Sequence, residues 1–321
     1  MVAMSKGIAE ILENAPSNWG KWGDDDELGA LNYLTEEEVL RGVQAVEAGK
    51  TFTLGVPIGR PDGDPVWPGR SAADHYMEVD KGHFDSGKFD LEGAAGLEYA
   101  DDVIYMFLQG STQFDALGHV WYDDQLYNGF DAKTTMGGLE KCSIEPMADN
   151  GVVGRGVLLD IARHRDKDWL VKGERIELDD LLDCADEQGV ELQKRDIPII
   201  RTGWIELYYE EGEEAFYGDE FDEPGITYSE ELVEWFHEME VPAFGTDTIA
   251  NEQTVSDETE TLLPLHGALL RDQGVTFNEI NRLDELADDC AEDGKYDFLY
   301  VGAPLKIVHG SGSPVNPIAI K

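Results

Sequence analysis

The sequence predicts an α/β protein, and two observations carry that prediction. Apolar runs of strand length recur along the chain at 103–108, 156–161, 197–201 and 298–301. Segments of helical character, 178–187, 229–238 and 263–273, lie among the later runs, and alternating strands and helices build a sheet covered by helices.

Taken in order, residues 1–34 read as an N-terminal arm, in which Trp19 and Trp22 are placed to anchor the chain against the body or a neighbouring subunit. A helix is expected at 35–48: Thr35 and Glu38 form a T-x-x-E capping box, and Gly49 stops it. A short strand at 51–56 follows. The stretch 57–100 is rich in Gly, Pro and Asp and too long for a plain connection, so it reads as an ordered functional loop or lid. No repeat, low-complexity tract or Pro/Ser-rich linker divides the chain, and 1–321 is expected to be one domain.

With 321 residues and 41% hydrophobic content the chain can bury a sizeable core. Asp plus Glu total 68 against 24 Lys plus Arg, a formal net charge of −44. Such a charge repels itself in dilute salt, whereas molar salt shortens the Debye length to about 3 Å and screens it. A high-salt cytoplasm is therefore the expected setting. Nucleic acid and anionic membranes are excluded as partners of general electrostatics, because no basic patch is present to neutralise phosphates. Cys142, Cys184 and Cys290 are odd in number, far apart and in no C-x-x-C pair, which predicts reduced buried thiols. No apolar run has the length of a signal-peptide core or a membrane span, so neither export by a signal peptide nor membrane insertion is expected. The acidic runs 24–27 and 36–38 read as hydrated surface.

The densest polar constellation is the segment from Gln109 to His119, with Thr112, Gln113 and Asp115 between. It follows directly on the run 103–108, and polar side chains leaving the end of a buried strand converge on a crevice. Taken alone, His119 could be a hydrogen-bonded structural histidine and Asp115 a turn or capping residue.

The spacing of this segment resembles the H-x-G-T-H-x-D-x-x-x-H signature of the cyclase family, which includes bacterial kynurenine formamidases, isatin hydrolases and related metal-dependent hydrolases. Gln109 and Gln113 stand where the signature has histidines; Asp115 and His119 are retained. The resemblance continues through Asn18-Trp19-Gly20-Lys21-Trp22-Gly23, Arg201-Thr202-Gly203, Gly245-Thr246-Asp247, His266, Glu279 and the C-terminal Pro304-Leu305-Lys306 and Gly312-Ser313-Pro314, and so covers nearly the whole chain.

What this resemblance implies is a swivelling β/β/α domain with a mixed central sheet and flanking helices, assembled as a homodimer or homotetramer. It implies hydrolysis of a small amide, lactone or cyclic amide, arylformamidase activity being the nearest named reaction. In the family a divalent metal polarises the carbonyl and activates water, and an imidazole shuttles protons. Carried over, Asp115, His266 and Glu279 are the candidate ligands, with Gln109 and Gln113 in the two former histidine positions, and His119 with Asp115 is the catalytic pair. Glutamine is a neutral oxygen donor, so the set loses part of the nitrogen-rich character zinc prefers, and the expected cofactor is one divalent metal, manganese or zinc ahead of magnesium or calcium. No organic cofactor is implied.

Arg201 and Thr202 could hold a substrate carboxylate, although an arginine pairing within the sheet fits equally. Asp247 in the G-x-D turn and His75 in the long loop are further candidates for the substrate, with His83 a weaker one. Two other readings stay open because both signature histidines are replaced: a metal-free relative that binds a small carboxylate-bearing metabolite, and a metal-free acid/base enzyme such as a dehydratase or isomerase in which His119 and Asp115 act alone.

Overall fold

The structure is a computed structural model and describes residues 7–321. In chain order its strands are β1 (Thr51–Thr53), β2 (Asp74–Val79), β3 (Asp101–Tyr105), β4 (Gln113–Asp115), β5 (Val152–Asp160), β6 (Arg175–Ile176) and β7 (Ile197–Arg201). They continue with β8 (Gly225–Ile226), β9 (Ala243–Thr246), β10 (Thr276–Glu279), β11 (Asp297–Gly302), β12 (Gly312–Pro314) and β13 (Ile318–Ile320). Nine of these form one mixed sheet in the order β1-β13-β11-β5-β7-β9-β10-β4-β12. Its centre, β5-β7-β9-β10, is parallel, and antiparallel strands extend it on both sides. The α/β expectation therefore holds, as a mixed sheet flanked by helices.

The central strands β5 and β7 are buried on both faces and rich in Val, Ile and Leu, as covered parallel strands are. On one face Val157, Leu159, Ile200, Phe244 and Phe277 meet the helices Leu178–Gln188 and Glu230–Glu238. On the other, Phe114, Leu158, Ile199, Phe298 and Tyr300 meet the helix Asp284–Asp293. Each fully buried side chain of this size contributes roughly 1.5–3 kcal/mol in transfer free energy.

Local signals place the helix ends well. The Thr35–Glu38 capping box is formed, with Glu38 Oε2 accepting from Thr35 N at 2.9 Å and the helix running Glu36–Gln44, shorter than the expected 35–48. Ser229 caps Glu230–Glu238 and Gly189 ends Leu178–Gln188 in a left-handed conformation. Where a regular helix was expected at 263–273, the chain forms a wide π-helix, His266–Gln273, with His266 as its first residue; such turns are rare and favour functional sites.

One expectation is corrected. The run 103–108 is not a buried strand of the main sheet. Its residues 103–105 end β3, which pairs with β2 alone as a two-stranded ribbon whose Val103, Ile104 and Tyr105 are exposed. A six-residue apolar run cannot reveal whether a layer covers it, and here none does. The segment 109–119 therefore does not leave the end of a buried strand; a turn at 107–112 leads it back into the main sheet as β4.

The N-terminal arm lies against the end of the π-helix: Asn18 Nδ2 donates to Gln273 O at 2.8 Å, Trp19 Nε1 to Arg271 O at 3.0 Å, and Ala30 N to Gly274 O at 2.9 Å. All three cysteines are buried and free, as expected. Among the described residues no helix is long and apolar enough to cross a membrane.

Candidate active site

The site is built on β4 and β10, which run antiparallel with Gln113 opposite Glu279 and Phe114 opposite Asn278. Alternation along β4 sends Phe114 into the core beside Tyr300 and turns Gln113 and Asp115 to the other face. Glu279 ends β10 on that same face. His266, opening the π-helix, packs its ring edge-on against Phe277 two residues before Glu279, with centroids 4.7 Å apart.

Ligand atoms of Asp115, His266 and Glu279 all lie within 4.8 Å of one another, and all three residues are buried. Gln113 Nε2 donates to Glu279 Oε2 at 2.5 Å, and His266 Nε2 lies 3.6 Å from Glu279 Oε1. Both carboxylate oxygens of Asp115, Oε1 of Glu279 and Oε1 of Gln113 are buried with no hydrogen-bond partner. Four unsatisfied oxygens, three of them carboxylate, are costly in a protein interior unless a cation satisfies them. The residues thus fit a divalent ion, held by two carboxylates, one imidazole nitrogen and one amide oxygen.

Burial raises the pKa of Glu279, and repulsion from Asp115 raises it further. Burial alone would lower the pKa of His266, but its hydrogen bond to Glu252 and the nearby Glu279 carboxylate outweigh that and push it up to about 10. Burial lowers that of His119, against the opposing pull of Asp115.

Above this cluster opens a cavity of about 410 Å³, lined by Asp115, His119, His266 and Glu279 and walled by Trp67, Trp121, Tyr122, Ile249, Leu262 and Leu263, with Arg70 beside them. Its size suits a small organic molecule. His119 Nε2 stands 3.9 Å from Asp115 Oδ2. On its other side Gln109 Nε2, fixed by donating to Ser311 O at 3.0 Å, lies 3.4 Å from His119 Nδ1. With the amide donating, the neutral imidazole carries its proton on Nε2, toward Asp115.

The structure brings Asp115, His119, His266, Glu279 and Gln113 together; Gln109 supports His119 from the side. The remaining candidates sit apart from the cavity walls. Arg201 is bound to Asp160 at 2.7 Å and Glu206 at 2.6 Å, beside a separate hollow formed by residues 163–171. Asp247 accepts from Thr202 N and Oγ1 and from Gly203 N at 2.6–2.8 Å, tying the ends of β7 and β9 together. His75 pairs with Asp102 across the exposed ribbon at 2.6 Å, and His83 caps its own short helix with Asp80.

Sequence reasoning missed Arg70, Glu252 and Glu223. Glu252 Oε1 accepts from His266 N and Nδ1, and its Oε2 from Leu265 N. Glu223, fully buried, accepts from Ile249 N and Ala250 N and so shapes the wall loop. No motif spacing announces either glutamate; Arg70 lay within the loop already marked as functional.

The family model Cyclase, described as "Putative cyclase", matches residues 52–253. The chain belongs to the cyclase family. A crystal structure of a novel cyclase is similar at 40% identity, covering 95% of this chain and 99% of its own, with a TM-score of 0.85. Isatin hydrolase A from Labrenzia aggregata, bound to benzyl benzoate, is similar at 19% identity over 86% of this chain and 94% of its own, TM-score 0.57. A predicted metal-dependent hydrolase from Bacillus stearothermophilus is similar at 18% identity over 84% of this chain and 97% of its own, TM-score 0.51. These last two show the cyclase fold alone. A comparison with curated proteins found no match.

Proposed function

We propose that the protein is a metal-dependent hydrolase of a small amide, lactone or cyclic amide, arylformamidase-like in its chemistry. The observation that supports this most is the buried Asp115, His266 and Glu279 cluster, whose ligand atoms converge within 4.8 Å at the floor of a small-molecule cavity. A divalent ion there would supply Lewis acidity toward a carbonyl. Asp115, Glu279 and Gln113 would give it oxygen donors and His266 a nitrogen, a set suited to manganese or zinc and less to magnesium or calcium. His119 faces the same cavity and is kept neutral by burial, so its unprotonated ring nitrogen can take a proton from an attacking water and return it to the leaving group. The apolar wall excludes water from the reacting carbonyl.

A cytoplasmic, high-salt location and a homodimeric or homotetrameric assembly belong to the same proposal. They rest on the charge of −44 and on the family likeness. One observation favours a second, metal-free reading, in which His119 and Asp115 act as an acid/base pair or the cavity only binds a metabolite: both glutamine amides are already committed to protein partners. Elemental mass spectrometry of protein purified in molar potassium chloride separates the two. About one equivalent of manganese or zinc, lost in Asp115→Ala, supports the hydrolase; no uptake of any divalent ion sinks it.

A further inference from the structure

In a chain this acidic, arginines are rarely left without a carboxylate. Every other arginine has a carboxylate oxygen within 4.0 Å. Among the described residues Arg70 alone of the arginines has none. Yet it is firmly placed: Nη1 donates to Gln109 O at 3.0 Å, so its position is tied to the segment that also carries Asp115 and His119. The guanidinium lines the same cavity as Asp115 and Glu279 without pairing with either. Trp67 and Trp121 supply flat apolar surface, and Leu263 further apolar surface, in the same cavity.

A half-buried guanidinium with free N–H groups in a ligand cavity is a built receptor for a planar anion, because its fork matches the two oxygens of a carboxylate. We propose that Arg70 is the specificity-determining residue of this site, and that the substrate is an aromatic or otherwise flat apolar amide or lactone already carrying one carboxylate. The carboxylate docks on Arg70 and the flat body lies against the tryptophans. This holds the reacting carbonyl toward Asp115, Glu279 and His119, since the substrate's anion is repelled from the two carboxylates. The proposal rests on the cavity being the substrate site, as argued above.

The test reads binding, so it is independent of whether the protein hydrolyses anything. Benzoate and its uncharged isostere benzamide are titrated into the full-length protein in molar potassium chloride, with quenching of tryptophan fluorescence as the signal. The titrations are repeated for Arg70→Gln, Arg70→Lys and Asp115→Ala, each first checked for an unchanged melting temperature. Benzoate is expected to bind the wild type about tenfold or more tighter than benzamide. Arg70→Gln should erase that preference, Arg70→Lys should keep part of it, and Asp115→Ala should leave it in place. No preference, a preference that survives Arg70→Gln, one that disappears in Asp115→Ala, or no binding of benzoate at all would each overturn the assignment. Failure of the hydrolase reading would appear instead as absence of turnover with this preference intact.

Discussion

Glu252 Oε1 receives both the backbone N–H of His266, at 2.8 Å, and its ring Nδ1, at 2.7 Å. One carboxylate thereby fixes where the π-helix starts, which way the imidazole turns, and that Nε2 is the nitrogen facing Asp115 and Glu279. Such partners orient ligands and raise their basicity.

Replacing Glu252 by Gln should therefore weaken metal binding about 10- to 100-fold while the protein still folds. Isothermal titration of chelator-stripped protein with manganese measures it. An unchanged affinity would mean that His266 is held by its helix alone.

His119→Ala should lower kcat on an amide or lactone substrate by about 10²- to 10⁴-fold, the usual loss for a general acid/base, with metal content unchanged. Turnover assays and elemental analysis on the same sample check both halves. A variant that loses metal and activity together would place His119 among the ligands.

Glu38 gives the pH prediction. Burial raises its pKa, but bonds from the Thr35 hydroxyl and N–H and from Arg195 outweigh that and lower it to about 2. A carboxylate depressed in the folded state stabilises above its unfolded pKa, and that stability is lost as pH falls. Glu38→Gln should destabilise the protein by about 1–2 kcal/mol at pH 7. The gap from wild type should close between the ordinary carboxylate pKa of 4.5 and about 2, measured by denaturant unfolding in molar salt.

Gly203 follows β7 at φ +75°, and a Cβ there would stand 2.3 Å from Asp168 O and 2.7 Å from the Cα of Trp169. Both contacts are to backbone that cannot swing aside. Gly203→Ala should cost about 3 kcal/mol or more, since backbone strain and a steric clash add. The change appears as a fall in melting temperature.

The charge of −44 predicts a stability that depends on salt. Raising potassium chloride from about 0.1 M to molar levels shortens the Debye length from about 10 to 3 Å and should raise the melting temperature steadily. A melting temperature indifferent to salt would mean that the surface ion pairs already balance the repulsion.

Much of this was legible in the sequence, for identifiable reasons. Ile197–Arg201 is apolar on both faces and announces a covered strand; Thr35 with Glu38 announces a helix start. Asp115, His119, His266 and Glu279 were reached through a spacing shared with a family, and the fold then brings them together across more than 150 residues. The failures have a common cause. Whether 103–108 is buried, whether Arg201 is free or already paired, and which loop glutamate reaches His266 all depend on what packs alongside. Arg70 shows the reverse: its importance lies in a neighbour it lacks, which no local pattern encodes.

The side-chain alternation of β4 has one more consequence. Because Gln113 and Asp115 face the cavity and Phe114 the core, the chemistry of this strand has a parity. Any insertion or deletion of a single residue that slid β4 by one step against β10 and β12 would bury the carboxylate in oil and hang the phenyl ring over the reaction. Length changes can accumulate in the ribbon and the surface loops, but along these three residues the reading frame of the pleat is also the reading frame of the active site.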